Sequence, residues 1–237
     1  SNRPERSLLI EPPEIELPFA SFPIAKCNER FSSHRRVLTR IKEWKIGIST
    51  AAELGWHWNE PMNSFIFPVY NEDEEPVYWS SRSFDGSQRS SATVDFSDYG
   101  ILGNFYHPLR DSVPTVYLVE GPKDSAALIQ EGFWGVHLFG HRPNKSQIAR
   151  LALLPQTKRL LLDSDVTDSA SRLAEENGWE ILYLPSGDPA DYAGEMLPLL
   201  EQLEKQTKCN TIETRLAGLR QKLFNQQVHK TFPKKSL

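Results

Sequence analysis

The hydrophobic pattern of this chain runs in two rhythms. Short runs dominated by apolar residues, Val116 to Val119, Gly135 to Phe139, Arg159 to Leu162 and Glu180 to Leu184, predict strands buried on both faces. Between them lie stretches with helical spacing: Pro122 to Glu131, Ser146 to Leu154 and Asp168 to Asn177. Pro122 suits a first helical turn and Gly132 a helix end. Strand and helix therefore alternate through residues 113–200. That alternation predicts an α/β domain with a Rossmann-like, mostly parallel sheet and helices on both faces.

Upstream the pattern changes. Val37, Leu38, Ile41 and Trp44 recur at helical spacing, so Ser32 to Trp44 is expected to be a helix, with Arg35, Arg36, Arg40 and Lys42 mostly around its other faces. Two β-rich stretches, Ser64 to Tyr70 and Pro76 to Phe84, flank the acidic turn Asn71 to Glu75 and predict a hairpin. Residues 26–112 thus read as a smaller mixed α+β subdomain. Before it, residues 1–25 hold Pro4, Pro12, Pro13, Pro18 and Pro23, a density that opposes regular helix and predicts a linker or wrapping arm. The tail, residues 201–237, is helical in pattern, with Leu216, Leu219, Leu223 and Phe224 along one stripe.

Composition narrows the class. At 237 residues and 39% hydrophobic, the chain can build a real core. No window approaches the ~20 apolar residues of a membrane span, and the start lacks a signal-peptide pattern, so a cytoplasmic location (nucleoid, or host cytoplasm if viral) and no membrane partner are expected. Cys27 and Cys209 are isolated, and two cysteines with six scattered histidines assemble neither a disulfide framework nor a zinc site. The net charge of −4 averages opposed regions. Lys26 to Lys45 holds seven Lys or Arg against two Glu, and Lys208 to the end seven against one, while the middle is acidic. Basic surfaces around an acidic pocket are the footprint expected of a protein that holds a phosphate backbone and a metal, although a basic run alone is commonly a solvated helix face.

The acids fall where the predicted strands end. Glu120 follows Val119, and Asp163 and Asp165 follow Leu162; Asp124 lies one helical turn beyond Glu120, and Asp188 and Asp191 follow the last strand. Parallel strands joined by helical crossovers bring such ends to one edge of an open sheet, where these folds place their ligands. Several carboxylates gathered there call for a divalent cation, Mg²⁺ or Mn²⁺, since hard oxygen ligands suit it. Helix and turn capping is the competing role for each acid, most of all for Asp124 and Asp191. His141, Arg142 and Lys145 form a basic loop beside the same edge, either facing phosphate or simply solvated.

Three pieces, in this order and spacing, resemble the TOPRIM module of DnaG-type and phage primases, topoisomerases and certain nucleases: the apolar run into Glu120-Gly121 with Asp124, the apolar run into Asp163 and Asp165, and LPSGDPADY from Leu184 to Tyr192. The likeness covers residues 113–200, and looser similarity to the primase amino-terminal subdomain extends upstream through Leu38, Arg40, Ile41, Ile46-Gly47 and the hairpin. The resemblance implies Glu120, Asp163 and Asp165 as catalytic metal-site residues, Asp188 and Asp191 as further metal ligands, and Asp124 as support. Arg82 falls at the arginine of the primase hairpin and is expected to hold a triphosphate or template backbone; Arg89 is the nearest cation to the basic motif that follows in primases. Arg35, Arg36, Arg40 and Lys42 are the expected DNA-binding residues.

Two departures stand out: SQRSSATVDFSDYG replaces the usual Lys-Tyr pair, and Asp168 replaces a glycine after Asp165. The activity implied is that of a DNA primase catalytic core making short RNA primers from ribonucleoside triphosphates on single-stranded DNA. A replicative helicase and a separate zinc-bearing template-recognition module are the implied partners. A TOPRIM nuclease and a non-catalytic replication accessory module remain alternatives. LLLDSDVT also fits the nucleophile motif of haloacid-dehalogenase-like phosphatases, but too little chain follows for that family's other motifs.

Overall fold

The computed structural model describes residues 10–92, 99–163 and 167–207. Ser1–Met196 form one compact unit and Leu197–Leu237 a second, in which residues 197–207 are helical. Among the described residues no helix is long and apolar enough to cross a membrane.

The first unit is a mixed α/β fold built on two sheets. An antiparallel sheet comes first, ordered β1-β2-β3-β4-β5 as a meander: β1 (Ser21–Pro23), β2 (His57–Asn59), β3 (Ser64–Tyr70), β4 (Pro76–Ser83) and β5 (Arg89–Ser91). The predicted hairpin is β3–β4. Its register runs from Ser64 opposite Ser83 to Tyr70 opposite Pro76, with an irregularity at Val69/Tyr70. Strand β3 is buried at every position except Tyr70, which explains its continuous apolar reading. Pro68 interrupts that run at little cost, because β2 pairs only with Ser64 to Ile66 and leaves the rest of β3 beside β4 alone.

Helices α1 (Ser32–Glu43) and α2 (Ile48–Glu53) accompany this sheet. Helix α1 buries Val37, Leu38 and Ile41, three of the four residues its spacing assigned inward. Trp44 follows it and packs on Phe65 at 4.6 Å between ring centroids, while Trp56 meets Phe67 at 4.8 Å. Such aromatic contacts let short strands build a core. The proline-rich arm contributes too: Ile15 donates its N–H to the Pro76 carbonyl, β1 pairs with β2, and Ile24 is buried. Among the described residues of the arm the prolines leave no α-helix, yet they permit an edge strand.

The second sheet is parallel, with β6 (Thr115–Val119), β7 (Trp134–His137), β8 (Thr157–Leu162) and β9 (Glu180–Tyr183) in the order β7-β6-β8-β9. Its crossovers are α3 (Pro122–Ile129), α4 (Lys145–Ala152) and α5 (Thr167–Asn177). The chain steps from β6 to one side and then passes back across it to β8, so right-handed connections put α3 on one face and α4 and α5 on the other. Side-chain alternation agrees. Val116, Leu118, Trp134, Val136, Leu160 and Leu162 join Leu151 of α4 and Ala174 of α5 in one core cluster. On the opposite face Gly135 lets α3 approach closely, since a Cβ there would stand 2.9 Å from the Ser125 backbone.

Candidate active site

The sense of the β6 connections reverses between β6 and β8, and at such a switch point an open α/β sheet forms a crevice beyond its strand ends. Glu120 is the residue after β6, and Asp163 the residue after β8. Both line a cleft of about 330 Å³. Gly121, Pro122, Lys123, Asp124, Gly140 and Asp188 join them from the parallel sheet, and Phe67, Tyr78, Ser80, Ser81, Arg82, Arg89, Ser90 and Ser91 come from the antiparallel one. Acids gathered from three separate stretches of chain therefore face a serine-rich floor that carries two arginines.

Asp124 is the organiser of the acidic wall. Its Oδ2 accepts from the Gly121 N–H at 3.1 Å, capping α3, and its Oδ1 accepts from the Ala190 N–H at 3.3 Å, drawing in the turn that carries Asp188. Burial, with the Asp188 and Asp163 carboxylates nearby, pushes its carboxyl up to about 7, partly offset by Lys123 and the Gly121 hydrogen bond. Asp188 and Asp191 cap each other across that turn: Asp191 N–H donates to Asp188 Oδ1 at 3.1 Å, and Asp188 N–H to Asp191 Oδ2 at 3.2 Å. Asp191 is exposed and does not line the cleft, whereas Asp188 does.

The donor chemistry suits Mg²⁺ or Mn²⁺: Glu120, Asp163 and Asp188 bring hard carboxylate oxygens to one cleft. Among the described residues no three His, Cys, Asp or Glu side chains converge as a closed ligand set. Asp165, the remaining acid expected at this edge, lies outside the described residues.

Opposite the acids, Arg82 of β4 and Arg89 of β5 are directly paired in register. Like charges placed so repel, and among the described residues neither has an ion-pair partner. His141, Arg142 and Lys145 lie exposed after β7, beyond Gly140, without lining the cleft. The α1 cations lie elsewhere as well. Arg36 stands over the Trp58 and Phe84 rings at 5.2 and 4.9 Å and approaches Glu60 at 3.8 Å. Arg40 pairs with Glu43 at 2.7 Å and Lys42 with Glu29 at 3.0 Å, while Arg35 donates to the Glu29 carbonyl at 3.0 Å. That basic face is partly neutralised by its own neighbours.

Three residues not singled out in the sequence lie in or behind the cleft. Lys123 lines the cleft with its Nζ 3.9 Å from Asp188 Oδ2. Gln130, at the end of α3, accepts from the Gly47 N–H at 3.0 Å and donates to the Lys45 carbonyl at 3.1 Å. Lys45 reaches the Asp191 carbonyl at 2.8 Å. These contacts tie the Lys45–Gly47 corner to the end of α3 and, through Lys45, to the turn that carries Asp188 and Asp191. Only the Ile46-Gly47 turn hinted at this corner, because glutamine and lysine carry no positional signal in one sequence.

No family model and no curated protein matches the sequence. Solved structures do. The chain is similar to the DnaG primase catalytic domain bound to ssDNA, with a TM-score of 0.61 and 13% identity over 79% of this chain and 78% of that one. The Escherichia coli primase catalytic core gives 0.61 and 14%, covering 79% and 80%. The RNA polymerase domain of Mycobacterium tuberculosis primase DnaG gives 0.61 and 15%, covering 81% and 85%. The fold of this chain is that of the DnaG catalytic core, a parallel four-stranded sheet beside an antiparallel one.

Proposed function

We propose that this chain is the catalytic core of a DNA primase, which joins ribonucleoside triphosphates into short RNA primers on single-stranded DNA. The observation that carries the proposal is the cleft itself. Carboxylates at a sheet switch point face two arginines that have no ion-pair partner among the described residues, across a space of about 330 Å³. A triphosphate needs both signs of wall: cations to hold its oxygens, and acids to hold the metal that travels with it.

In the reaction the 3′ hydroxyl of one nucleotide forms a bond to the α-phosphorus of the next, and the bond to pyrophosphate breaks. Glu120, Asp163 and Asp165, with Asp188 from the neighbouring turn, would hold Mg²⁺ or Mn²⁺. A cation held by these carboxylates would supply neutralisation of the negative charge that develops on the reacting phosphate. Arg82 and Arg89 bind the polyphosphate, and Asp124 keeps Asp188 in place through the Ala190 N–H. Phe67, Tyr78 and Phe139 add apolar surface to the cleft lining. The fold shared with a DnaG domain captured on ssDNA supports the choice of template.

Single-stranded DNA, labelled ribonucleotides and Mn²⁺ test this directly. Extended RNA is expected; shortened DNA would identify a nuclease, and binding without either product an accessory module. Asp163→Asn keeps the side-chain shape but removes the charge, so activity should fall at least ~100-fold with unchanged melting. Full activity in that variant overturns the assignment. A separate zinc-bearing module is proposed for template recognition, so extension of a preformed RNA annealed to template should exceed synthesis from nucleotides alone.

A further inference from the structure

Lys123 is an unexpected residue in its position. It lies in the first turn of α3, where the unpaired N–H groups already carry partial positive charge and a lysine is locally unfavourable. Its side chain is only 18% exposed, and it points into a wall of acids rather than to water. Tertiary contacts offset the local cost: Asp188 Oδ2 at 3.9 Å and the face of Trp44 at 5.9 Å. At 3.9 Å the Asp188 contact is loose, and the three N–H donors of the ammonium are not consumed by it.

We propose that Lys123 is a resident counter-cation of the acidic cleft that opposes metal entry and, once nucleotide arrives, adds a third cation to the Arg82–Arg89 pair. The proposal rests on the functional reading above. An ammonium fixed among carboxylates lowers the potential that attracts a divalent ion, so metal alone binds weakly. The same ammonium strengthens the site for metal together with polyphosphate, whose negative charge it meets. Lys123 would thereby couple the two ligands, favouring the pair over the free ion. Its seat on Trp44 also places it where the antiparallel subdomain meets the parallel sheet.

The test uses the full chain and its Lys123→Met, Lys123→Gln and Lys123→Arg variants, with melting as a folding check. Mn²⁺ binding is read by electron paramagnetic resonance, and binding of a fluorescent ATP analogue is read with Mn²⁺ present. Met and Gln should each tighten Mn²⁺ binding about tenfold at low salt and weaken nucleotide binding by a similar factor, while Arg stays within about threefold of wild type in both. Unchanged Mn²⁺ affinity in Met and Gln, or equal loss in all three variants, would show a packing role and overturn the inference. Mn²⁺ binding by neither wild type nor any variant would remove the metal site, and the inference with it. The expected opposed shifts without RNA synthesis would leave Lys123 in this role and overturn the primase reading alone.

Discussion

At the scale of single residues, opposed charges and their absence explain most of the site. Arg82 and Arg89 face each other across β4–β5, so removing one relieves repulsion. Arg82→Ala is expected to melt no lower than wild type, gaining a few tenths of a kcal/mol, while nucleotide affinity falls ~10- to 100-fold, the worth of one charge-assisted contact. Calorimetric melting and nucleotide titration check the two together; a variant that loses stability and keeps affinity contradicts the role.

His137 is the second residue whose chemistry is set by its surroundings. It is fully buried on the α3 face, hydrogen-bonded to Ser125 Oγ at 3.0 Å, and burial pushes its imidazole down to about 3. The folded state thus refuses a proton that the unfolded chain accepts below about pH 6.5. Its stability contribution is complete above that pH and is lost as pH falls toward 3, at up to ~1.4 kcal/mol per unit. Asp124 works the other way, gaining stability between pH 7 and 4, so a difference measurement is needed. His137→Gln should be less stable than wild type at pH 7.5, with the deficit shrinking by ~2 kcal/mol at pH 5. Denaturant titrations at both pH values decide it; a constant deficit would place the His137 proton elsewhere.

At the scale of elements, close approach matters more than propensity. Helix α3 lies so near β7 that a Cβ on Gly135 would meet Ser125 Cα and its carbonyl at 2.9 Å, both backbone atoms unable to step aside alone. Gly135→Ala should therefore cost ~1–3 kcal/mol, where the same change on an open strand would be nearly neutral or favourable. Because α3 also carries Lys123 and Asp124, the variant is expected to lose nucleotide affinity as well. Chemical denaturation and nucleotide binding test the two consequences, and an unaffected protein would show that α3 has room to slide.

At the scale of the whole molecule, residues of both sheets line the cleft, and side-chain contacts tie the elements around it together. Gln130 joins the Lys45–Gly47 corner to α3 through two hydrogen bonds, and Lys45 joins it to the Asp188–Asp191 turn. Gln130→Ala removes both links without touching a cleft-lining residue. Stability should fall by ~1–2 kcal/mol and nucleotide affinity by at least ~5-fold, whereas an ordinary surface glutamine would change neither. Nucleotide titration of this variant checks the clamp, and wild-type affinity would relegate it to a structural detail.

Much of this organisation is legible before any coordinates. The parallel sheet, its helices and the strand-end positions of Glu120 and Asp163 follow from periodicity, because a strand covered on both faces and a helix covered on one leave different marks in the chain. The β3–β4 hairpin follows for the same reason, with Ser64–Tyr70 recovered in full. The short strands β1, β2 and β5 leave almost no mark, since three residues hold too little pattern and their pairing comes from neighbours far along the chain. In the same way the sequence marks Arg82 and Asp188 as candidates but says nothing of whether they share a cleft. Their meeting, the Arg82–Arg89 pairing, and the parts played by Lys123, Lys45 and Gln130 depend on where one sheet edge comes to rest against the other. That placement is a property of long-range packing, for which local residue order carries no period and no spacing.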